Sequence, residues 1–187
     1  MTRHDANSGS PGLNPERPSF SRDPRRFIDI LVRCEDTDWS DLPESAEAFA
    51  ERILRPALES LAPSEAEVSV LFVSDRRMRQ LNLEYRGFDQ PTDVLAFALE
   101  EDEEGLEPER RALGDIVVSL DTARRQARER GVSAPDEIAL LLLHGMLHLL
   151  GRDHAAAADE AAMRSEQDEW LARLGFAPAD YARWDNA

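Results

Sequence analysis

The stretch FIDILVRC at 27–34 alternates apolar and polar positions, the period of a half-buried strand, and an acidic turn through Asp41 and Pro43 follows it. Over 44–61 the period changes. Ala46, Phe49, Ile53, Ala57 and Leu61 recur at helical steps and predict an amphipathic helix that Pro56 should kink or end. Residues 66–73 return to alternation, with Val68, Val70 and Phe72 on one face, and Ser74 then caps a helix reaching Tyr85 with Met78, Leu81 and Tyr85 inward. Residues 93–99 and 114–120 read as two more strands joined by the acidic linker EEDEEGLEPER, in which Leu106 alone is apolar, a mobile surface loop by composition. Asp121 to Arg130 gives a short helix with Leu120, Ala123 and Ala127 inward, its arginines at ion-pair spacing from Asp121 and Glu129 on the same surface. Asp159 to Leu174 gives a last amphipathic helix, with Met163, Trp170, Leu171 and Leu174 on its apolar stripe and Gly175 at its end.

Between these two helices, residues 133–154 read SAPDEIALLLLHGMLHLLGRDH. Ser133 and Asp136 stand at capping-box spacing, with Pro135 tolerated in a first turn whose donors lack helical acceptors. The helix that follows is apolar on every face apart from its histidines, so it belongs inside the core, and Gly151 stops it. The order of elements predicts an α+β fold: a small mixed four-stranded sheet packed with about five helices, the histidine helix buried at its centre. Residues 1–26, rich in Pro, Gly, Ser and Asn, are expected to stay disordered, and 27–187 to form a single domain.

Composition narrows the function classes. At 187 residues the chain can bury a proper core without staples, and the single cysteine, Cys34, excludes an intrachain disulfide and reads as a small buried apolar residue. A formal charge of −16 argues against a general electrostatic grip on nucleic acid, so any such contact is local. All 22 basic residues are arginine, a compositional bias that weakens arginine counting as evidence. The apolar run around Leu140 is too short and too rich in histidine to span a bilayer, and the N-terminal stretch has no apolar signal segment, so a cytoplasmic location is expected.

His144 and His148, four apart on a helix, stack on one face, and the turn at 151–153 brings His154 back towards them. The spacing H-x-x-x-H-x-x-G-x-x-H is that of metzincin zinc ligands. Left uncoordinated among leucines, the ring nitrogens would cost about 2 kcal/mol or more for each unsatisfied group. Where a metalloprotease carries the glutamate of H-E-x-x-H as general base, this chain has Gly145. Asp153, the one nearby carboxylate, suits a partner of a ligand better than a base. A zincin-type metallopeptidase and a non-catalytic, zinc-stabilised assembly factor therefore both stay open.

Three blocks, LNLEYRGFDQPTDVLAFALE, LGDIVVS and HGMLHLLGRDH, resemble in order and spacing the signature blocks of the YbeY family of bacterial rRNA maturation endoribonucleases. The resemblance spans Phe27 to Gly175. It implies a zinc-dependent single-strand endoribonuclease acting in 16S rRNA 3′-end maturation and ribosome quality control. It implies rRNA and ribosomal particles as partners, with ribosomal proteins or an assembly GTPase beside them. One Zn²⁺ per chain would be held by His144, His148 and His154, and Arg86 matches the arginine tied to activity. Arg86 could neutralise phosphate charge, and the competing reading is a salt bridge to Asp89 or Asp93 that shapes the loop. Tyr85, Phe88 and Phe97 could stack bases, although aromatics at such spacing more often belong to a core. The chain departs from the family pattern at Ala96 and Ala98, where Ser and Pro are usual, and at Arg152, where Tyr is common.

Overall fold

The structure, a computed structural model, describes residues 27–62, 65–99, 111–152 and 157–178. The N-terminal 26 residues, the acidic linker, Asp153 and His154 lie outside the described residues. The elements run β1 (Phe27–Glu35), α1 (Ala46–Leu61), β2 (Glu65–Val73), α2 (Asp75–Arg86), β3 (Val94–Ala98), β4 (Arg111–Ser119), α3 (Leu120–Arg130), α4 (Ala134–Leu149) and α5 (Ala157–Leu174). The strands form one mixed sheet in the order β1-β2-β4-β3. β1, β2 and β4 are parallel, and β3 pairs antiparallel with β4, so the acidic linker joins neighbouring strands as expected.

Alternation divides the sheet between two cores. Val68, Val70, Phe72, Ile116 and Val118 meet α1, α4 and α5 in the larger one, while Val73, Leu95 and Val117 meet Met78 and Leu81 of α2 in the smaller. α4 lies at the centre of the larger core, with Ile138 to Leu143 and Met146 to Leu147 almost wholly buried. Its start is held as the sequence predicts: the Ser133 side chain accepts from the Asp136 N–H, and the Asp136 carboxylate accepts from the Ser133 N–H. Gly151, at φ 75°, takes the chain out of the helix.

β4 carries an irregularity that bears on the site. Its register with β2 jumps from Glu67↔Ala112 to Val68↔Gly114, leaving Leu113 as the extra residue of a bulge. Gly114 has φ 133°, and a Cβ there would lie 2.0 Å from the carbonyl oxygen of Phe97 on β3. Only a glycine allows the two strands to meet at this point.

Four expectations need correction. Of the two outcomes expected at Pro56, a kink or an end, the second does not occur, since α1 continues to Leu61; burial of Ile53, Leu54, Ala57 and Leu58 on either side outweighs the one backbone bond that proline removes. Cys34 is exposed near the end of β1. Tyr85 is 60% exposed, with its ring against Phe97 of β3 at the cleft. The α3 arginines form ion pairs with other elements: Arg124 with Asp41, Arg125 with Asp75 at 3.0 Å, and Arg130 with Glu137 at 2.8 Å, while Arg125 also donates to Thr122 of its own helix at 2.8 Å.

Candidate metal centre and substrate cleft

His144 and His148 project from successive turns of α4 with their rings 4.6 Å apart and nearly perpendicular. Their Nε2 atoms approach to 3.2 Å. Gln167, buried on α5, has its Oε1 3.2 Å from Nδ1 of His144, a contact that suits the tautomer with the hydrogen on Nδ1, in which Nε2 presents its lone pair towards His148. Two nitrogens bound to one tetrahedral zinc at bond lengths of about 2.0–2.1 Å stand about 3.3 Å apart. The pair therefore fits the ion in donor type and separation. Among the described residues no third His, Cys, Asp or Glu joins them, and His154 is not among those residues.

Gly145, between the two histidines, is a packing residue. A Cβ there would lie 2.7 Å from Cγ2 of Ile116 and 3.5 Å from Cγ2 of Val94, so the absent side chain is what lets α4 approach β3 and β4 closely. A glutamate at this position would have to displace the Ile116 side chain.

The histidines open onto a cleft of about 860 Å³. β3 and the residues leading into it, Thr92 to Ala98, form one wall; Tyr85 and Arg86 at the end of α2 form a second; Gln126, Glu129 and Arg130 of α3 close it. The Arg86 guanidinium lies 5.8 Å from the centre of the Phe88 ring. Neither carboxylate considered as its partner holds it. Both oxygens of Asp89 are taken by Arg79 at 2.6 and 2.7 Å, and Asp93 accepts from Gln126 at 2.9 Å and from the Val94 N–H at 2.7 Å. Of the three candidate stacking aromatics, Tyr85 and Phe97 line the cleft with ring centres 5.0 Å apart, while Phe88 is 55% exposed on the α2 side. Core burial accounts for neither Tyr85 nor Phe88.

The sequence reading missed two features of the site. Gln167 sits on the apolar stripe of α5 beside Met163, Trp170 and Leu171, and a polar residue at a core position was the available signal. The other is the ion pair between Arg130, at the cleft wall, and Glu137, whose side chains are 6% and 1% exposed. Glu137 lies seven residues before His144 on the same face of α4, a charge inside an otherwise apolar helix. Burial pushes its carboxyl up to about 7, with Asp93 and Asp136 acting in the same direction and the Arg130 guanidinium opposing. A carboxyl raised in the folded state contributes stability that is complete below its unfolded value, about 4.3, and lost as pH rises through about 7. Glu137→Gln should thus flatten the dependence of urea midpoint on pH between about 5 and 8. An unchanged slope in the variant would remove Glu137 as its source.

The family model described as "Endoribonuclease YbeY" matches residues 32–175. A protein of that name from Desulforamulus reducens is 50% identical over 131 residues, covering 68% of this chain and 86% of the relative. Another from Geobacillus thermodenitrificans is 44% identical over 141 residues, covering 71% and 88%. A Thermotoga maritima protein solved in solution aligns with a TM-score of 0.56 at 26% identity, over 84% of this chain and 92% of that one. A family model matched over most of the chain, with relatives 44–50% identical over more than two thirds of it, shows that the chain belongs to the YbeY endoribonuclease family.

Proposed function

We propose that the chain is a zinc-dependent, single-strand endoribonuclease that acts in 16S rRNA 3′-end maturation and ribosome quality control, in the cytoplasm. Membership of the family makes it a hydrolase of RNA phosphodiester bonds, and among the described residues no helix is long and apolar enough to cross a membrane. The observation that carries the zinc reading is the 3.2 Å convergence of two Nε2 atoms inside a cleft that Arg86 also lines. His144, His148 and His154 hold the ion, one per chain. When bound, zinc supplies Lewis-acid chemistry at the phosphodiester.

The chain's own residues do the rest. Gln167 holds His144 in the ligating tautomer through Nδ1. Arg86, which makes no ion pair among the described residues, offers a planar pair of donors to phosphate oxygens and neutralises charge as it builds in the transition state. The close contact of Gly145 with Ile116 weighs against a peptidase, since the general base of that mechanism would have to stand there. An acidic surface implies that affinity for free RNA is weak and that ribosomal particles, through ribosomal proteins or an assembly GTPase, position the substrate.

Arg86→Ala is expected to keep fold and zinc content while lowering cleavage of a 16S rRNA 3′ precursor about a hundredfold, with Arg86→Lys recovering only part. The assay compares free precursor with ribosomal particles at fixed salt. Full activity in the alanine variant would exclude Arg86 from the reaction, and hydrolysis of peptides in place of RNA would favour the metallopeptidase. Zinc binding without turnover of either polymer would leave a zinc-stabilised assembly factor.

A further inference from the structure

β3 is an edge strand, and the cleft runs along its open side. Seven consecutive residues, from Thr92 to Ala98, line the cleft, although successive side chains of a strand point to opposite faces. What the cleft meets is therefore the strand's edge, with its main-chain groups. The register decides which ones. Ser119 N–H donates to the Asp93 carbonyl at 2.8 Å and Leu99 N–H to the Leu113 carbonyl at 3.1 Å, in a ladder that pairs Val94 with Val118 and Ala98 with Gly114. Bonded pairs alternate in an antiparallel ladder, so the main chains of Asp93, Leu95, Phe97 and Leu99 face β4. Those of Val94, Ala96 and Ala98 face the open side, where among the described residues the sheet has no further strand.

The Val94 N–H is taken by the Asp93 carboxylate at 2.7 Å. The carbonyls of Val94 and Ala96 and the N–H groups of Ala96 and Ala98 remain directed outward. The side chains at 96 and 98 are methyl groups, too small to cover this edge, and Ala98 is exposed. Where the family pattern usually has proline, Ala98 restores an outward donor. Like groups recur every two residues, about 6.7 Å, a spacing that an extended nucleotide strand can follow one nucleotide at a time.

We propose that the outward carbonyls of Val94 and Ala96 accept hydrogen bonds from ribose 2′-hydroxyls of a strand lying in the cleft, so that the edge of β3 distinguishes RNA from DNA. This rests on the reading of the cleft as the site of RNA cleavage. The outward N–H groups of Ala96 and Ala98 donate to phosphate oxygens, a contact that DNA would make equally. The carbonyls discriminate: against deoxyribose each faces a C–H and loses its water without a replacement partner. Arginine contacts carry no such information, because a phosphate is the same in both polymers.

The test uses the full chain with zinc and a short single-stranded RNA, in which one nucleotide at a time carries 2′-deoxy or 2′-fluoro. Both kcat/KM and the Kd of a labelled strand are read. The nucleotide immediately 5′ of the cleaved bond is left out of the comparison, since its hydroxyl adjoins the reacting phosphate. One or two neighbouring positions are expected to lose about tenfold in each quantity for either modification, the others nothing. Ala96→Pro, whose ring fills the open side without touching the β4 ladder, should abolish that sensitivity while leaving zinc content and thermal midpoint intact. Uniform kcat/KM and Kd across the series would overturn the proposal and leave RNA cleavage standing. Competitive displacement of RNA by an extended peptide, with no 2′ sensitivity, would assign the edge to a polypeptide instead. If no cleavage occurs at all, the Kd series still decides whether β3 reads ribose.

Discussion

His148→Ala is expected to lose both zinc and RNA cleavage while remaining folded. The side chain is half-buried at the cleft end of α4, where its Nε2 faces that of His144 at 3.2 Å. Losing an outer partner of a metal-bound histidine already lowers affinity or activity by about 10–100-fold, so losing a ligand should exceed about a hundredfold. The fold should survive, because α4 is anchored by Ile138 to Leu143 and by its capping box, neither of which the substitution touches. Metal content after gel filtration, with cleavage of the rRNA precursor, decides the matter. A variant that retains one zinc per chain would take His148 out of the ligand set. Gln167→Ala, removing the partner of Nδ1, should give a partial loss of the same kind.

Gly114→Ala should destabilise the protein by about 4 kcal/mol, the sum of two independent penalties. Its φ of 133° is a conformation that a residue with a Cβ avoids, at about 1–3 kcal/mol. The added methyl also meets backbone, 2.0 Å from the Phe97 carbonyl oxygen and 3.1 Å from the Ala98 Cα, so β3 must move away from β4. The displaced segment is the wall of the cleft, so activity should fall even at temperatures where the variant stays folded. Urea unfolding measures the first effect; a loss below about 1 kcal/mol would mean that the bulge relaxes and that the strand contact at this point is slack.

Much of this architecture was legible because periodicity reports burial directly. Val68, Val70 and Phe72 could be assigned to one face from alternation alone, and the Ser133 and Asp136 pair announced the start of α4 before any coordinates. The two histidines followed from helical spacing. Periodicity says nothing, however, about where the packing stops. Tyr85 follows the inward rhythm of Met78 and Leu81 but lies open on the cleft beside Phe97, and Cys34, next to the last residue of β1, is exposed. Pairings between elements were equally out of reach. The partner of Arg130, Glu137, stands on the next helix, and a charge on an apolar helix declares only that some partner exists. The role of Gly145 depended on the distance to Ile116, which is a property of how helix and sheet are stacked.

That stacking also bears on the protein's evolutionary reach. In sequence, a peptidase motif lies one residue away: glutamate in place of Gly145 would complete H-E-x-x-H. In the folded chain the same step meets Ile116 at 2.7 Å before the new carboxylate can do anything useful. A lineage drifting towards proteolysis would have to shrink Ile116 first, opening a cavity in the core at about 2–5 kcal/mol for a change to alanine, with no gain in activity to select for it. The valley between the two chemistries is thus a packing defect, and a single codon change does not cross it.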